Sequence, residues 1–158
     1  MRPLIPPPFV MLLGAALMWV LNRWLPLVRW IAPPWSRWSS VLYVLGVTVI
    51  AAAMLRFRRS HTTINPMDPG AATHLVTDGI FRVSRNPMYV GLTLLLAGWG
   101  ISLGSASVWV ILPLFVLYIT RAQIIPEERA LEARFANEYR AYRQRVPRWI
   151  GHTRGGLS

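Results

Sequence analysis

Four long stretches without any charged residue constrain the fold of this chain more than any other feature of its sequence. They cover residues 8–21, 41–55, 88–103 and 106–120. A helix that crosses a bilayer needs about 20 predominantly apolar residues. Buried helices of a water-soluble domain are apolar too, but here too little polar chain remains to cover four of them. We therefore predict an all-α fold, an integral membrane bundle of about four transmembrane helices.

The expected helices form one domain, residues 1–158, in which residues 8–25, 39–56, 87–103 and 106–125 cross the membrane. Residues 57–86 are expected to form a cytoplasmic loop, because Asn65-Pro66, Asp68-Pro69-Gly70 and Asp78-Gly79 are turn signals. Gly104-Ser105 is expected to make a tight turn between the last two spans. Gly100 and Gly104 would allow close helix packing.

A C-terminal amphipathic helix is expected over residues 126–146. Pro126 suits the first helical position, and the acids that follow it favour the positive end of the helix dipole. Apolar side chains then recur at spacings of 4, 4, 3 and 4, which predicts one apolar stripe on a helix; they are Leu131, Phe135, Tyr139, Tyr142 and Val146. Pro147 is expected to end the helix.

The distribution of charge predicts the orientation in the membrane. All 17 basic residues are Arg, against six acids, which gives a formal net charge of +11. If the N-terminus is cytoplasmic, only Arg23, Arg29 and Arg37 lie outside, as the positive-inside tendency favours. We therefore expect a protein of a bacterial inner membrane, with both termini and the active site on the cytoplasmic side. Its expected partners are membrane lipids and not nucleic acid.

Composition and spacing also bear on the chemistry. The chain has no Cys, which excludes disulfides and thiol catalysis. Its three His residues, His61, His74 and His152, show no metal-ligand spacing, so no metal site is predicted.

Three segments combine polar and aromatic residues in patterns that suit ligand binding. Residues 85–91 run from a polar loop into a helix at Pro87, where free backbone N–H groups and Arg85 favour an anion; an ordinary helix start is the alternative. The adjacent acids Glu127 and Glu128 suit an ammonium group or a ribose diol, or only a helix terminus. Residues 73–81 offer backbone groups to a flat ring, although an isolated His is more often structural.

Together these segments resemble the isoprenylcysteine carboxyl methyltransferase family and the wider group that includes phospholipid methyltransferases. The resemblance rests on Leu75-Val76-Thr77-Asp78-Gly79-Ile80-Phe81, Arg85-Asn86-Pro87-Met88-Tyr89-Val90-Gly91, Glu127-Glu128, Tyr139, Tyr142 and Arg145-Val146-Pro147. It covers about residues 65–150. It implies an integral membrane methyltransferase that uses S-adenosyl-L-methionine and acts on a lipophilic or amphipathic small molecule.

The resemblance also implies which residues bind the cofactor; they are Thr73, His74, Leu75, Val76, Phe81, Asn86, Pro87, Met88, Tyr89, Glu127 and Glu128. Arg121, Gln123 and Arg85 are expected to orient the acceptor as catalytic residues. Two positions depart from the family pattern, in which His is common at Thr73 and Asn86. A third departure matters more, since prenylcysteine enzymes have an Arg for the substrate carboxylate where this chain has Gln123.

Three other functions remain open at the level of sequence. A non-enzymatic membrane scaffold or transporter component would explain the apolar helices, but not the motifs in two polar segments. A relative that kept the fold but reduces sterols with a nicotinamide cofactor would differ in the cofactor bound. A nucleic-acid binder would rest on the net charge alone. The acceptor atom and the oligomeric state are not predicted.

Overall fold

The computed structural model describes residues 5–29, 37–60 and 74–151, and most of them are helical. The helices are α1 (Pro7–Trp24), α2 (Trp38–Arg59), α3 (Pro87–Leu103), α4 (Ile111–Ile119) and α5 (Ile125–Arg145). No strand occurs in these ranges, where one isolated antiparallel bridge joins Arg29 to Ser105. The predicted all-α class is therefore confirmed for this part of the chain.

Proline and glycine mark the ends of two helices. Pro7 and Pro87 occupy first positions, where a missing N–H costs no intrahelical hydrogen bond. Gly104 ends α3 with a φ of 72°, a left-handed conformation that favours glycine. The bounds of α1, α2 and α3 lie within three residues of the segments 8–25, 39–56 and 87–103.

Residues 106–145 form one continuous helical run, whereas the sequence suggested two helices that meet at Pro126. The run begins with a 3₁₀ turn, Ala106–Val110, and passes from α4 to α5 through a π-helical turn, Thr120–Ile124. In an α-helix the Pro126 ring would clash with the carbonyl four residues earlier. A wider π turn immediately before that proline provides the room, so the helix continues where a break was expected.

The backbone of α5 bends sharply at Ala136, which has φ 40° and ψ −111°. This conformation is rarely adopted by residues with a Cβ atom. The bend separates two helical pieces, so the apolar stripe predicted on one straight helix is carried by both. The second piece brings Tyr139 and Tyr142 into the protein interior.

Helices α2 and α3 cross at very short distance because glycines face each other. A Cβ atom on Gly91 would lie 2.5 Å from Ile50 Cγ1 and 2.8 Å from the Gly46 carbonyl oxygen. A Cβ atom on Gly100 would meet only the Trp109 ring, at 3.6 Å. Close packing was suggested for Gly100 and Gly104: Gly100 is in ordinary contact with Trp109 and Gly104 caps α3, while the shorter approach is made by Gly46 and Gly91.

The outer surface of the helices is strongly apolar. Phe9, Leu13, Val44 and Val47 are all more than half exposed, as are other large apolar side chains of α1, α2 and α4. Two helical runs, Trp38–Arg59 and Ala106–Arg145, are long and apolar enough to cross a membrane, and α3 is a shorter apolar helix. Exposed apolar surface of this extent is unfavourable in water and is the normal exterior of a protein in lipid.

Candidate functional site

A short hydrogen bond joins the first turn of α3 to the first turn of α5. The Tyr89 hydroxyl donates to Glu127 Oε1 at 2.5 Å, and Tyr89 is buried. This distance is typical of a hydroxyl bonded to a carboxylate. Tyr89 stands in the first turn of α3, where the helix dipole favours a nearby negative charge. The contact thus places one acid of the Glu127-Glu128 pair at the junction of two helices.

The neighbouring acid Glu128 lies in a different environment, between two guanidinium groups. Arg148 donates to both of its carboxylate oxygens, at 3.0 and 2.6 Å, and Arg85 Nη1 lies 2.9 Å from Oε1. Arg85 Nη1 also donates to the Tyr139 hydroxyl at 3.0 Å. The Arg85 and Glu128 side chains are only 7% and 10% exposed. Glu128 is therefore neutralised inside the protein, which is what a buried charge requires.

The segment after α5 is tied to the loop before α3 through backbone and side-chain hydrogen bonds. The Arg148 carbonyl accepts from Asn86 Nδ2 at 3.0 Å and from Ser84 Oγ at 3.2 Å. The Arg85 amide donates to the Pro147 carbonyl at 2.9 Å. Both chain segments therefore hold the start of α3, where Tyr89 lies, in place.

An apolar cluster supports this junction. Tyr139, Tyr142 and Val146 are buried in it, and Leu131 and Phe135 pack against it. Their common environment confirms that the five side chains of the predicted apolar stripe share a packing surface. The Tyr142 hydroxyl also donates to the Phe81 carbonyl at 2.7 Å.

The residues suggested for cofactor binding occupy three different settings. Val76 and Phe81 are buried members of the apolar cluster, and the partly buried Leu75 and Met88 pack against it. Those that lie at the helix junction are Asn86, Pro87, Tyr89, Glu127 and Glu128. His74 is exposed, and Thr73 lies outside the described residues.

Arg121 and Gln123 lie in the π turn with different exposures. Arg121 is exposed, whereas Gln123 is 1% exposed and its Nε2 donates to the Ile5 carbonyl at 2.8 Å. Its Oε1 atom is buried without a hydrogen-bond partner among the described residues. Arg85, the third residue suggested to orient the acceptor, is engaged by Glu128. The three thus have different partners and exposures.

Burial changes the ionisation of Glu127, which stands in the charged part of the run Ala106–Arg145. Loss of solvation raises the pKa of Glu127 to about 7; the Tyr89 hydrogen bond lowers it and the charge of Glu128 raises it. The Arg148 guanidinium has its pKa raised above the ordinary value, chiefly by its hydrogen bonds to Glu128. The two adjacent acids thus differ, one being ion-paired and the other titrating near neutrality.

The role of Arg148 was not foreseen from the sequence. It is 20 residues from Glu128 in the chain, and no helical spacing connects the two. The chain bends at Ala136 and leaves the helix before Pro147 on its way from Glu128 to Arg148. The sequence does not predict how close these features bring the two side chains. Among the described residues, no group of three His, Asp or Glu side chains is placed to hold a metal ion.

Comparisons with known proteins indicate the family. Residues 35–138 match the phospholipid methyltransferase family. An uncharacterized protein of Haemophilus influenzae is 43% identical over 63 residues, 40% of this chain and 100% of that protein. The protein-S-isoprenylcysteine O-methyltransferase of Schizosaccharomyces pombe is 30% identical over 106 residues, 67% of this chain but only 45% of that enzyme. No solved structure matches the chain significantly.

Proposed function

Since the chain belongs to the phospholipid methyltransferase family, we propose that it transfers a methyl group from S-adenosyl-L-methionine to a lipophilic or amphipathic acceptor. It is a membrane protein with two apolar helical runs long enough to cross a bilayer. The methyl donor and the class of acceptor go beyond that family membership and rest on the residues at the junction of α3 and α5.

The observation that carries the proposal is the contrast between two adjacent acids. Glu128 is neutralised by two Arg side chains, whereas Glu127 makes no ion pair with any described residue and accepts a hydrogen bond from Tyr89. A partly buried carboxylate without a cationic partner favours a ligand that brings its own positive charge. S-adenosyl-L-methionine carries an ammonium and a sulfonium group, so its charge fits this position.

The remaining residues suit the rest of such a ligand. Phe81, Val76 and the partly buried Leu75 and Met88 provide apolar surface beside the junction for an adenine ring. The Met88 N–H at the start of α3 provides a hydrogen-bond donor, because the Asn86 and Tyr89 N–H groups already donate to Ser84 Oγ and to the Asn86 carbonyl. Thr73, His74, Pro87 and Glu128 complete the proposed set, with Glu128 acting through its ion pairs.

Methyl transfer places modest demands on the protein. The donor supplies an already activated methyl group, whose bond to sulfur breaks as the acceptor's lone pair forms the new bond to carbon. The protein contributes by holding both reactants in line and by excluding water, and this positioning supplies much of the rate. Gln123 and Arg121, four and six residues before Glu127, and the engaged Arg85 are proposed to orient the acceptor.

The location follows from the same proposal. Four transmembrane helices with both termini in the cytoplasm would put Tyr89 and Glu127 at the cytoplasmic surface of a bacterial inner membrane. The donor would then arrive from the cytoplasm and an apolar acceptor from the bilayer. This arrangement agrees with the excess of Arg in the segments assigned to that side.

Calorimetric titration of the detergent-purified protein with S-adenosyl-L-methionine and S-adenosylhomocysteine tests the proposal. We expect both to bind, and Glu127→Ala and Tyr89→Ala to weaken binding. Glu138→Ala is the matched control, because Glu138 is an exposed acid of the same helix. A folded wild-type protein that binds neither compound would contradict the proposal and favour a scaffold or transporter component. Binding of a nicotinamide cofactor instead would favour the sterol-reducing alternative.

The acceptor is identified by a separate experiment. Lipids extracted from cells with and without the gene are compared by mass spectrometry for species that differ by one methyl group. A species lost with the gene and restored by the wild-type protein, but not by Glu127→Ala, is the product. Its structure tells which atom is methylated.

A further inference from the structure

The ion pairs of Glu128 form a cluster beside Glu127, the acid proposed to bind the positive charge of the methyl donor. It consists of Glu128, Arg85, Arg148 and the Tyr139 hydroxyl, joined by contacts of 2.6 to 3.0 Å. Burying the charges of Glu128 and Arg85 is expensive, and such groups often stabilise a fold no better than apolar ones of the same shape. The position of the cluster, next to Glu127 in the chain, indicates a role beyond stability.

Glu128 and Glu127 are neighbours in sequence, both held near the N-terminus of α5. Two neighbouring carboxylates in a poorly solvated setting oppose each other's ionisation. A cation beside one of them removes much of that opposition. Here both cations contact Glu128: Arg148 donates to both carboxylate oxygens, and Arg85 lies close to Oε1.

Arg148 is the more exposed of the two cations, at 34% of its side chain against 7% for Arg85. Its backbone carbonyl accepts the hydrogen bonds of Ser84 and Asn86, so its place is fixed independently of its charge. A substitution that changes only the end of the Arg148 side chain should leave those contacts intact. Arg148 is thus a residue at which charge and fold are separable by experiment.

We propose that Arg148, together with Arg85, is a positioning residue that neutralises Glu128 and so keeps Glu127 available as the anion that meets the methyl donor. The identity of the ligand in this inference rests on the proposed function. The electrostatic part does not, because it concerns Glu127 in the protein without ligand. Neither Arg need touch the donor.

The pKa of Glu127 agrees with this geometry. Burial raises it to about 7, and the residual charge of Glu128 contributes a further upward influence. The charged and titratable described groups that face the two acids are Tyr89 from α3, Arg85 from the preceding loop, Tyr139 from the second piece of α5 and Arg148 from the chain after it. Of these, Arg148 is the residue whose charge can be removed by substitution with the least disturbance, because its side chain is 34% exposed.

The experiment follows the ionisation of Glu127 directly, by infrared absorbance of protonated carboxyl groups as the pH of the ligand-free protein is changed. The signal that Glu127→Gln removes reports Glu127. Arg148→Gln should raise its midpoint and Glu128→Gln should lower it, each by about 0.5–1 pH unit. Arg148→Lys, which keeps a positive charge, should return the midpoint towards the wild-type value.

The opposite directions distinguish this role from a structural one. Arg148→Gln and Glu128→Gln break the same ion pair, so a loss of packing would move the midpoint in the same direction for both. Arg145→Gln is the control, since Arg145 is exposed and its Nε donates only to the Ala141 carbonyl of its own helix. Circular dichroism and gel filtration identify the variants that fold.

Titration with S-adenosyl-L-methionine at each pH completes the experiment. We expect the acid limb of binding to move with the Glu127 midpoint, upward for Arg148→Gln and downward for Glu128→Gln. Midpoints that stay unchanged, or that shift in the same direction, would overturn the inference. If the two variants shift the Glu127 midpoint in opposite directions but the wild-type protein binds no methyl donor, the electrostatic role is supported and the proposed function is contradicted.

Discussion

The Tyr89 hydroxyl donates a 2.5 Å hydrogen bond to Glu127 Oε1, and so connects α3 to α5 at the centre of the candidate site. The bond fixes the direction of the carboxylate, whose second oxygen has no partner in the described structure. We expect Tyr89→Phe to weaken the binding of S-adenosyl-L-methionine about tenfold, because a hydrogen bond to a charged group contributes about 1.5 kcal/mol or more. Calorimetric titration measures the change.

Tyr118→Phe is the control for that substitution, because Tyr118 is a tyrosine of α4 whose surface is 41% exposed, whereas Tyr89 is buried. It should bind the methyl donor as the wild type does. Equal affinities for the Tyr89 and Tyr118 variants would show that the hydrogen bond plays no part in binding.

The affinity for the methyl donor should depend on pH with a midpoint near 7, since the pKa of Glu127 is about 7. A cation binds the ionised carboxylate, so affinity is full above this pH and declines as the pH falls through it. Glu127→Gln should bind more weakly and lose this dependence. A wild-type protein whose affinity is constant from pH 5.5 to 8.5 would refute the assignment.

The contribution of Glu127 to the stability of the ligand-free protein should become more favourable as the pH falls, whereas the affinity for the methyl donor declines. The pKa of Glu127 is raised from 4.5, the value for a solvated Glu, so ionisation penalises the folded state above about pH 7. That penalty disappears as the pH falls from 7 towards 4.5. The difference in melting temperature between wild type and Glu127→Gln should therefore narrow as the pH falls over this range.

Gly91→Ala should destabilise the helix pair α2 and α3 by about 1–3 kcal/mol, because the new methyl group would lie within 3 Å of Ile50 and of the Gly46 carbonyl. Gly100→Ala adds the same methyl group at an ordinary contact distance of 3.6 Å from Trp109 and should be tolerated. Thermal unfolding in detergent compares the two. Similar melting temperatures would contradict the close crossing.

Ala136→Gly should stabilise the protein by about 0.5–1 kcal/mol, because glycine adopts a positive φ without the strain of a Cβ atom. Ala133→Gly, at an exposed helical position of α5, should destabilise it by a similar amount. Chemical denaturation of both variants gives the sign. If Ala136→Gly proves as harmful as Ala133→Gly, then α5 has no bend in solution.

The sequence predicted the helices better than the connections between them. Charge-free runs and helix-starting prolines located α1, α2 and α3 within three residues, since both signals are local. The passage from α4 to α5 was not predictable in this way. Pro126 normally argues for a break, and whether a π turn accommodates it depends on the packing of Gln123 and Ile124, both buried.

The candidate site was predicted in part for a similar reason. The motif resemblance named both Tyr89 and Glu127, which the structure places in contact. Glu128 was also suggested for the cofactor and Arg85 for the acceptor, and in the structure these two side chains form an ion pair. Motifs identify residues of a shared region, but they do not tell which residue faces the ligand and which supports it; that depends on the fold of distant segments, such as the one with Arg148.

The π turn at Thr120–Ile124 has one more consequence. Each residue of an α-helix is rotated by about 100° from the one before it, and a π turn absorbs one additional residue without breaking the helix. Removing a residue from this turn would therefore turn the whole of α5 by that angle and present a different side chain to Tyr89. Whether Glu127 or another side chain contacts Tyr89 therefore depends on the number of residues in the π turn as well as on the residues of α5.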